Sequence, residues 1–209
     1  MRIKTLILGA LGTNCYILED TATRKCAIID PADDVGRNLQ ETEKKGIDIE
    51  CIILTHTHFD HMLALNELYE KTGAVVYVGR GDKAGLFEPT LNLSAFMGNA
   101  VCVFSGEARV LSEGDTVTFG EITLDDIETA GHTPGGICLI SQKDLCIFTG
   151  DTVFAGSIGR TDFPGGDYNT IIDSLERVLS SPEEFLIYPG HGAATTVANE
   201  SVCNPYRRY

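Results

Sequence analysis

Every histidine in this 209-residue chain lies at or beside the point where an apolar, strand-like run gives out. Cys51-Ile52-Ile53-Leu54 leads into Thr55-His56-Thr57-His58-Phe59-Asp60-His61, and Phe185-Leu186-Ile187-Tyr188 leads into Pro189-Gly190-His191-Gly192. Gly131-His132-Thr133-Pro134-Gly135-Gly136 follows the run at 121–128, and Leu145-Cys146-Ile147-Phe148 is followed by Thr149-Gly150-Asp151. Any one of these residues alone would be ordinary: a loop imidazole, or a carboxylate capping a turn. With none of the five histidines left elsewhere, they read together as one metal site.

The spacing of the densest motif carries this further. On an extended segment, residues 56 and 58 project the same way, so two imidazoles are aimed together. The helical pattern that starts near His61 turns Asp60 and His61 aside, where they present a second set of ligands. Imidazole and carboxylate suit zinc, iron or manganese, and no cysteine lies at the spacing of a structural zinc site. Five imidazoles plus Asp60 and Asp151 exceed the four ligands of one tetrahedral ion. Two divalent ions sharing a bridging group are therefore expected, with coordination positions open for water and substrate. Zinc is the first expectation, and the same donors accept iron or manganese.

The order HxHxDH, His, Asp, His resembles the metallo-β-lactamase fold superfamily, over nearly the whole chain. The resemblance implies an α/β protein built as a four-layer αββα sandwich, with the metals along one edge of the two sheets. It implies that His56, His58 and His132 hold the first metal, that Asp60, His61 and His191 hold the second, and that Asp151 bridges them. Within the superfamily, the segment Gly156 to Asp167, the Gly-His-Thr-Pro-Gly-Gly motif and the start Asn14-Cys15-Tyr16 are similar to short bacterial glyoxalase II-type hydrolases. These cleave thioesters of the hydroxyacylglutathione kind. The longer glyoxalase II enzymes carry an additional C-terminal helical region with basic residues that hold glutathione. This chain stops at Tyr209, with only Arg207 and Arg208 there, so residues 1–209 are expected to form one domain without that region.

The implied reaction is hydrolysis by a hydroxide shared between two metals, one of which polarises the thioester carbonyl while catalytic Asp60 orients the nucleophile and takes its proton. Arg160 and Thr161 are candidates to bind the acyl carboxylate or the thiol-side peptide; Gly159-Arg160-Thr161-Asp162-Phe163 also reads as a tight turn in which Arg160 pairs with Asp162. The alternatives are a mononuclear iron persulfide dioxygenase, which shares a Gly-Arg-Thr-Asp-Phe stretch, and a hydrolase of another small ester or thioester. The Pro-Gly-His-Gly setting of His191 favours a retained second metal over the dioxygenase. A flavin-linked diiron reductase would place a glutamate where His58 stands.

Composition bounds the partners. A net charge of −14 repels phosphate backbones and argues against nucleic acid. No stretch nears the length of a membrane span, and the apolar start lacks a clear cleavage site, so a soluble, cytoplasmic protein acting on a small molecule is expected. The seven cysteines are an odd number, mostly inside apolar runs, and read as buried thiols rather than disulfides or nucleophiles.

Strands are expected near 2–8, 14–19, 25–30, 51–54, 74–78, 116–119, 121–128, 137–141 and 145–148, and helices near 34–45, 61–71 and 168–180. The Gly-rich stretch from 79 to 109, with Phe87, Leu91, Leu93, Phe96 and Met97, reads equally as a mobile lid over the metals or as a packed loop.

Overall fold

The computed structural model describes residues 1–43, 46–96 and 101–208. A six-stranded sheet runs in chain order through β1 (Arg2–Leu8), β2 (Thr13–Asp20), β3 (Lys25–Ile29), β4 (Asp48–Leu54), β5 (Val75–Gly79) and β6 (Ala108–Leu111), with α1 (Val35–Glu43), α2 (Phe59–Met62) and α3 (Leu65–Thr72) between them. Then follow β7 (Thr116–Phe119), β8 (Ile122–Glu128), β9 (Ile137–Ser141), β10 (Cys146–Gly150), a short hairpin of β11 (Val153–Phe154) and β12 (Ser157–Ile158), α4 (Tyr168–Leu179), β13 (Leu186–Pro189), β14 (Thr195–Thr196) and α5 (Val197–Cys203). The second six-stranded sheet has the order β14-β13-β10-β9-β8-β7.

The expected four layers can be followed side chain by side chain through the strands. Along β2, Cys15 and Ile17 join a core beneath α1 and α3, while Tyr16 and Leu18 enter a second core between the sheets. Along β4, Ile52 and Leu54 face the helices and Cys51 and Ile53 face the other sheet. On the far side, Ile137 and Leu139 of β9 join the inter-sheet core, and Cys138 and Ile140 pack under α4 and α5 with Ile171, Leu175 and Val197. Period-two side chains covered on both faces produce the continuous apolar runs of the sequence. Burial pushes the thiols of Cys26, Cys51, Cys138 and Cys146 up to about 12. All seven cysteines are unpaired, and Cys203 departs from the expectation by lying exposed.

Strand direction determines where the loops open. β3, β4 and β5 are mutually parallel, so the segments after them emerge at one edge of the first sheet. In the second sheet β8 and β9 are antiparallel, as are β9 and β10, while β10 and β13 are parallel. β8, β10 and β13 therefore end at a common edge too. The two edges touch at an isolated bridge between Thr13 and His191, where the Asn14 amide donates to the Gly190 carbonyl at 2.7 Å.

Several elements differ from the sequence expectations. The helix expected over 61–71 is two helices, because the Ala64 amide donates to the Pro31 carbonyl at 2.9 Å instead of continuing the helical ladder. The strand expected to reach residue 30 stops at Ile29, since Asp30 turns with φ 51°. Residues 44 and 45 of the helix expected over 34–45, and Met97, lie outside the described residues. Residues 80–96 hold two 3-10 turns, Arg80–Leu86 and Ser94–Phe96, and with residues 101–107 they are packed against the body of the protein. Asn92 donates to the carbonyls of Gly85 and Cys102, the Phe104 amide donates to Leu86, and Leu86 and Phe104 are buried. No helix among the described residues is long and apolar enough to cross a membrane.

Candidate metal centre

The loop after β4 begins with Thr55, whose amide and hydroxyl both donate to Asp30, at 2.8 and 2.7 Å. Asp30 Oδ2 also lies 3.0 Å from His61 Nδ1. A buried carboxylate accepts there, so the His61 proton sits on Nδ1 and Nε2 is free to ligate. The Thr55 hydroxyl, its proton given to Asp30, is 3.2 Å from His56 Nδ1 and accepts from it. His132 Nδ1 lies 2.7 Å from the Arg160 carbonyl, which can only accept. In all three rings a neighbour thus fixes the Nδ1 proton, so that the neutral form offers its Nε2 lone pair for ligation.

Those lone pairs converge. His56, His58, His61 and His132 are buried, and the Nε2 atoms of His56, His58 and His132 have no hydrogen-bond partner, nor does Oδ1 of Asp151. Unpaired buried acceptors of this kind are costly unless something else binds them. Donor atoms within 4.8 Å of one another group as His56, His58 and His132; as Asp60, His61 and His191; and as His56, His61 and Asp151. Asp151 reaches both triads, with Oδ2 at 3.5 Å from His132 Nε2 and 3.6 Å from His191 Nε2, and Oδ1 at 3.5 Å from His61 Nε2. Gly190 makes this approach possible, because a Cβ there would stand 2.2 Å from Asp151 Oδ1 and 2.8 Å from His61 Cε1. Histidine and aspartate donors set out in this way fit divalent metal ions.

The two triads differ electrically. Burial pushes the His58 imidazole down to about 3 and lowers His56 strongly, helped by the other imidazoles. Around His61, burial opposes protonation, but Asp151, Asp30 and Asp60 outweigh it and push the ring up to about 10. His191 is raised in the same way, burial being overcome by its hydrogen bond to Asp60. Burial would raise the Asp60 carboxyl, yet His191, His61 and Thr13 Oγ1, at 2.9 Å, hold it well below the usual carboxylate range. Without metal, His56 and His58 are therefore neutral imidazoles, whereas Asp60, His61 and His191 form a carboxylate–imidazolium cluster whose protons a cation would displace.

The sequence did not mark two supporting residues. Asp30 follows the apolar run Ile28-Ile29, which is the same strand-end signal that flagged the histidines. Asp82 carried no signal. Its Oδ2 accepts from the Thr57 amide at 3.0 Å and its Oδ1 from the Gly135 amide at 2.7 Å, so one buried carboxylate joins the His56/His58 loop to the His132 loop. The approach is so close that a Cβ on Gly135 would lie 2.0 Å from the Asp82 nitrogen.

A cavity of about 480 Å³ opens over the donors. His58, Asp60, His132, Asp151 and His191 line it, and Leu11, Phe59, Leu93, Phe154, Ile158 and Phe163 form its apolar walls. Arg160 stands in the wall, with Nε and Nη2 each 2.6 Å from an Asp162 oxygen and its guanidinium 3.9 Å above the Phe163 ring. The pairing with Asp162 is the turn reading of this segment. Thr161 is half-buried and does not line the cavity.

Comparison with known proteins agrees with this geometry. The model of the Metallo-beta-lactamase superfamily matches residues 8–191. The chain is 34% identical to the Bacillus subtilis protein YqgX, described as a probable metallo-hydrolase, over 99% of this chain and 97% of that protein. It is 32% identical to the hydroxyacylglutathione hydrolase GloC of Haemophilus influenzae, over 99% and 98% of the two chains. The solved structure of TTHA1623 in a di-iron-bound form superposes with a TM-score of 0.87 at 33% identity, covering 97% of this chain and 99% of that one.

Proposed function

This chain belongs to the metallo-beta-lactamase superfamily, and from that membership and its donor set we propose that it is a dinuclear metal-dependent hydrolase that cleaves a small thioester of the hydroxyacylglutathione kind. The observation that carries the reading is Asp151, a carboxylate within 3.6 Å of imidazole nitrogens from both triads. Likeness to a hydroxyacylglutathione hydrolase over nearly the full length of both chains supports the substrate class, and likeness to a di-iron protein supports two metals.

His56, His58 and His132 would hold one ion, Asp60, His61 and His191 the other, and Asp151 both. Two divalent ions, zinc in the first instance, supply Lewis-acid activation of water and of the thioester carbonyl. The protein does the rest. Asp60, fixed by Thr13 and His191, orients the attacking water. Asp30, Thr55 and the Arg160 carbonyl keep three imidazoles in the ligating tautomer. The aromatic and aliphatic walls exclude bulk water and cover the carbon skeleton of the substrate. A departing thiol with a pKa of about 8.5 leaves as thiolate with little proton donation, which favours a thioester over an amide. The acidic surface, at −14, suits a small-molecule substrate and not nucleic acid.

The test is lactoylglutathione hydrolysis followed by thiol release, with elemental analysis of the same preparation. Turnover with two metals per chain is expected. A fully metallated protein that releases no thiol would overturn the thioesterase reading, and one iron per chain with oxygen uptake on glutathione persulfide would replace it by the dioxygenase.

A further inference from the structure

Arg160 is the one lysine or arginine among the described residues lining the cavity, and it is not free. Asp162 holds its fork at two points from outside the cavity, with N···O distances of 2.6 Å on both arms. The arginine is also placed relative to the metal donors: its own carbonyl accepts from His132 Nδ1, and Phe163, over which its guanidinium stacks, meets the His58 ring edge-on at 5.8 Å. A guanidinium so anchored offers a carboxylate the same two-point geometry that Asp162 already fills. Both partners of the pair are exposed, at 56% and 67%, and exposed ion pairs contribute so little that an incoming carboxylate can replace one.

We propose that Asp162 is an internal competitor for the Arg160 fork, and that the fork takes a carboxylate borne on the thiol side of the substrate; this rests on the thioesterase reading above. Asp162 then sets specificity. While it holds the fork, the Arg160–Asp162 pair adds no net charge to the cavity wall, and the guanidinium does not discriminate between neutral and anionic thiol ends. When a substrate carboxylate displaces it, Arg160 pins the thiol end beside His58 and His132, and Asp162 swings to solvent.

The probes are S-methylglutathione, which cannot be hydrolysed, for calorimetric binding to the metal-loaded protein, and the lactoyl thioesters of glutathione and of neutral N-acetylcysteamine for turnover. Asp162→Asn is expected to tighten S-methylglutathione binding about two- to fivefold and to raise the glutathione-to-N-acetylcysteamine ratio of kcat/KM by a similar factor through KM. Arg160→Gln lowers both. In the Arg160→Gln background Asp162→Asn adds nothing, because the two act as one unit, and high salt shrinks the effect. If Asp162→Asn weakens binding as Arg160→Gln does, or if the two changes are additive, the competitor role is overturned. If neither thioester is hydrolysed but the calorimetric pattern holds, the carboxylate subsite stands and the thioesterase reading falls. Turnover of both thioesters with no shift in any variant has the opposite meaning.

Discussion

At the scale of single residues, Asp151 is where the two triads depend on one side chain. Its substitution by asparagine keeps the shape and removes the charge, so Asp151→Asn is expected to lower bound metal and hydrolysis together, by at least about tenfold in metal affinity. Elemental analysis after dialysis, with activity on the same sample, checks this; unchanged loading and turnover would remove Asp151 from the site. All five histidines were visible in the sequence because each lies beside a strand end and none serves another purpose. Asp30 was visible in principle, following Ile28-Ile29, but it is separated by twenty-five residues from the Thr55 it holds. Asp82 was not visible at all, since its partners are backbone amides, which leave no trace in residue type.

At the scale of elements, the segment after β5 was open to reading as a lid, and in the structure its first turn acts as a clamp through Asp82. Asp82→Ala leaves the buried amides of Thr57 and Gly135 without acceptors, and the expected cost is about 2–4 kcal/mol. Urea unfolding of the metal-free variant measures that cost, and a parallel metal titration is expected to show weaker loading, because the two ligand loops lose their shared anchor. Helix α4 was legible from the apolar stripe of Ile171, Ile172, Leu175 and Val178, and in the structure the Asp167 side chain caps it by accepting from the Thr170 amide. Helix α5 was not. Its docking relies on Glu200, a buried carboxylate that accepts from the Gly156 amide, Thr195, Asn199 and Asn204, and hydrophobic periodicity cannot register an element held by polar contacts. β6 escaped for a related reason: of its four residues only Leu111 is buried.

At the scale of the whole molecule, excess acid has a cost at one interior point. Asp126 is buried on β8 with neither oxygen hydrogen-bonded, and burial, then the charges of Glu113, Glu128 and Asp115, push its carboxyl from 3.8 up to about 7. Below pH 3.8 folded and unfolded chains both hold this proton. Between 3.8 and about 7 only the folded chain holds it, so stability falls as pH rises through that window, and the deficit is complete above about 7. Asp126→Asn is therefore expected to stabilise the protein by about 1–2 kcal/mol at pH 8, with the gain shrinking toward pH 4; thermal melts across that range decide it, and a gain independent of pH would refute it.

Each triad draws from both sheets: His56 and His58 with His132 in one, Asp60 and His61 with His191 in the other. Neither half of the chain owns a complete set. A backbone cut in the turn between Leu111 and Thr116 would give two fragments that each carry strands, helices and an unfinished coordination shell. Mixed together, they are expected to co-elute when divalent metal is present and to part when a chelator is added, so that the ions act as the rivet of a two-piece assembly.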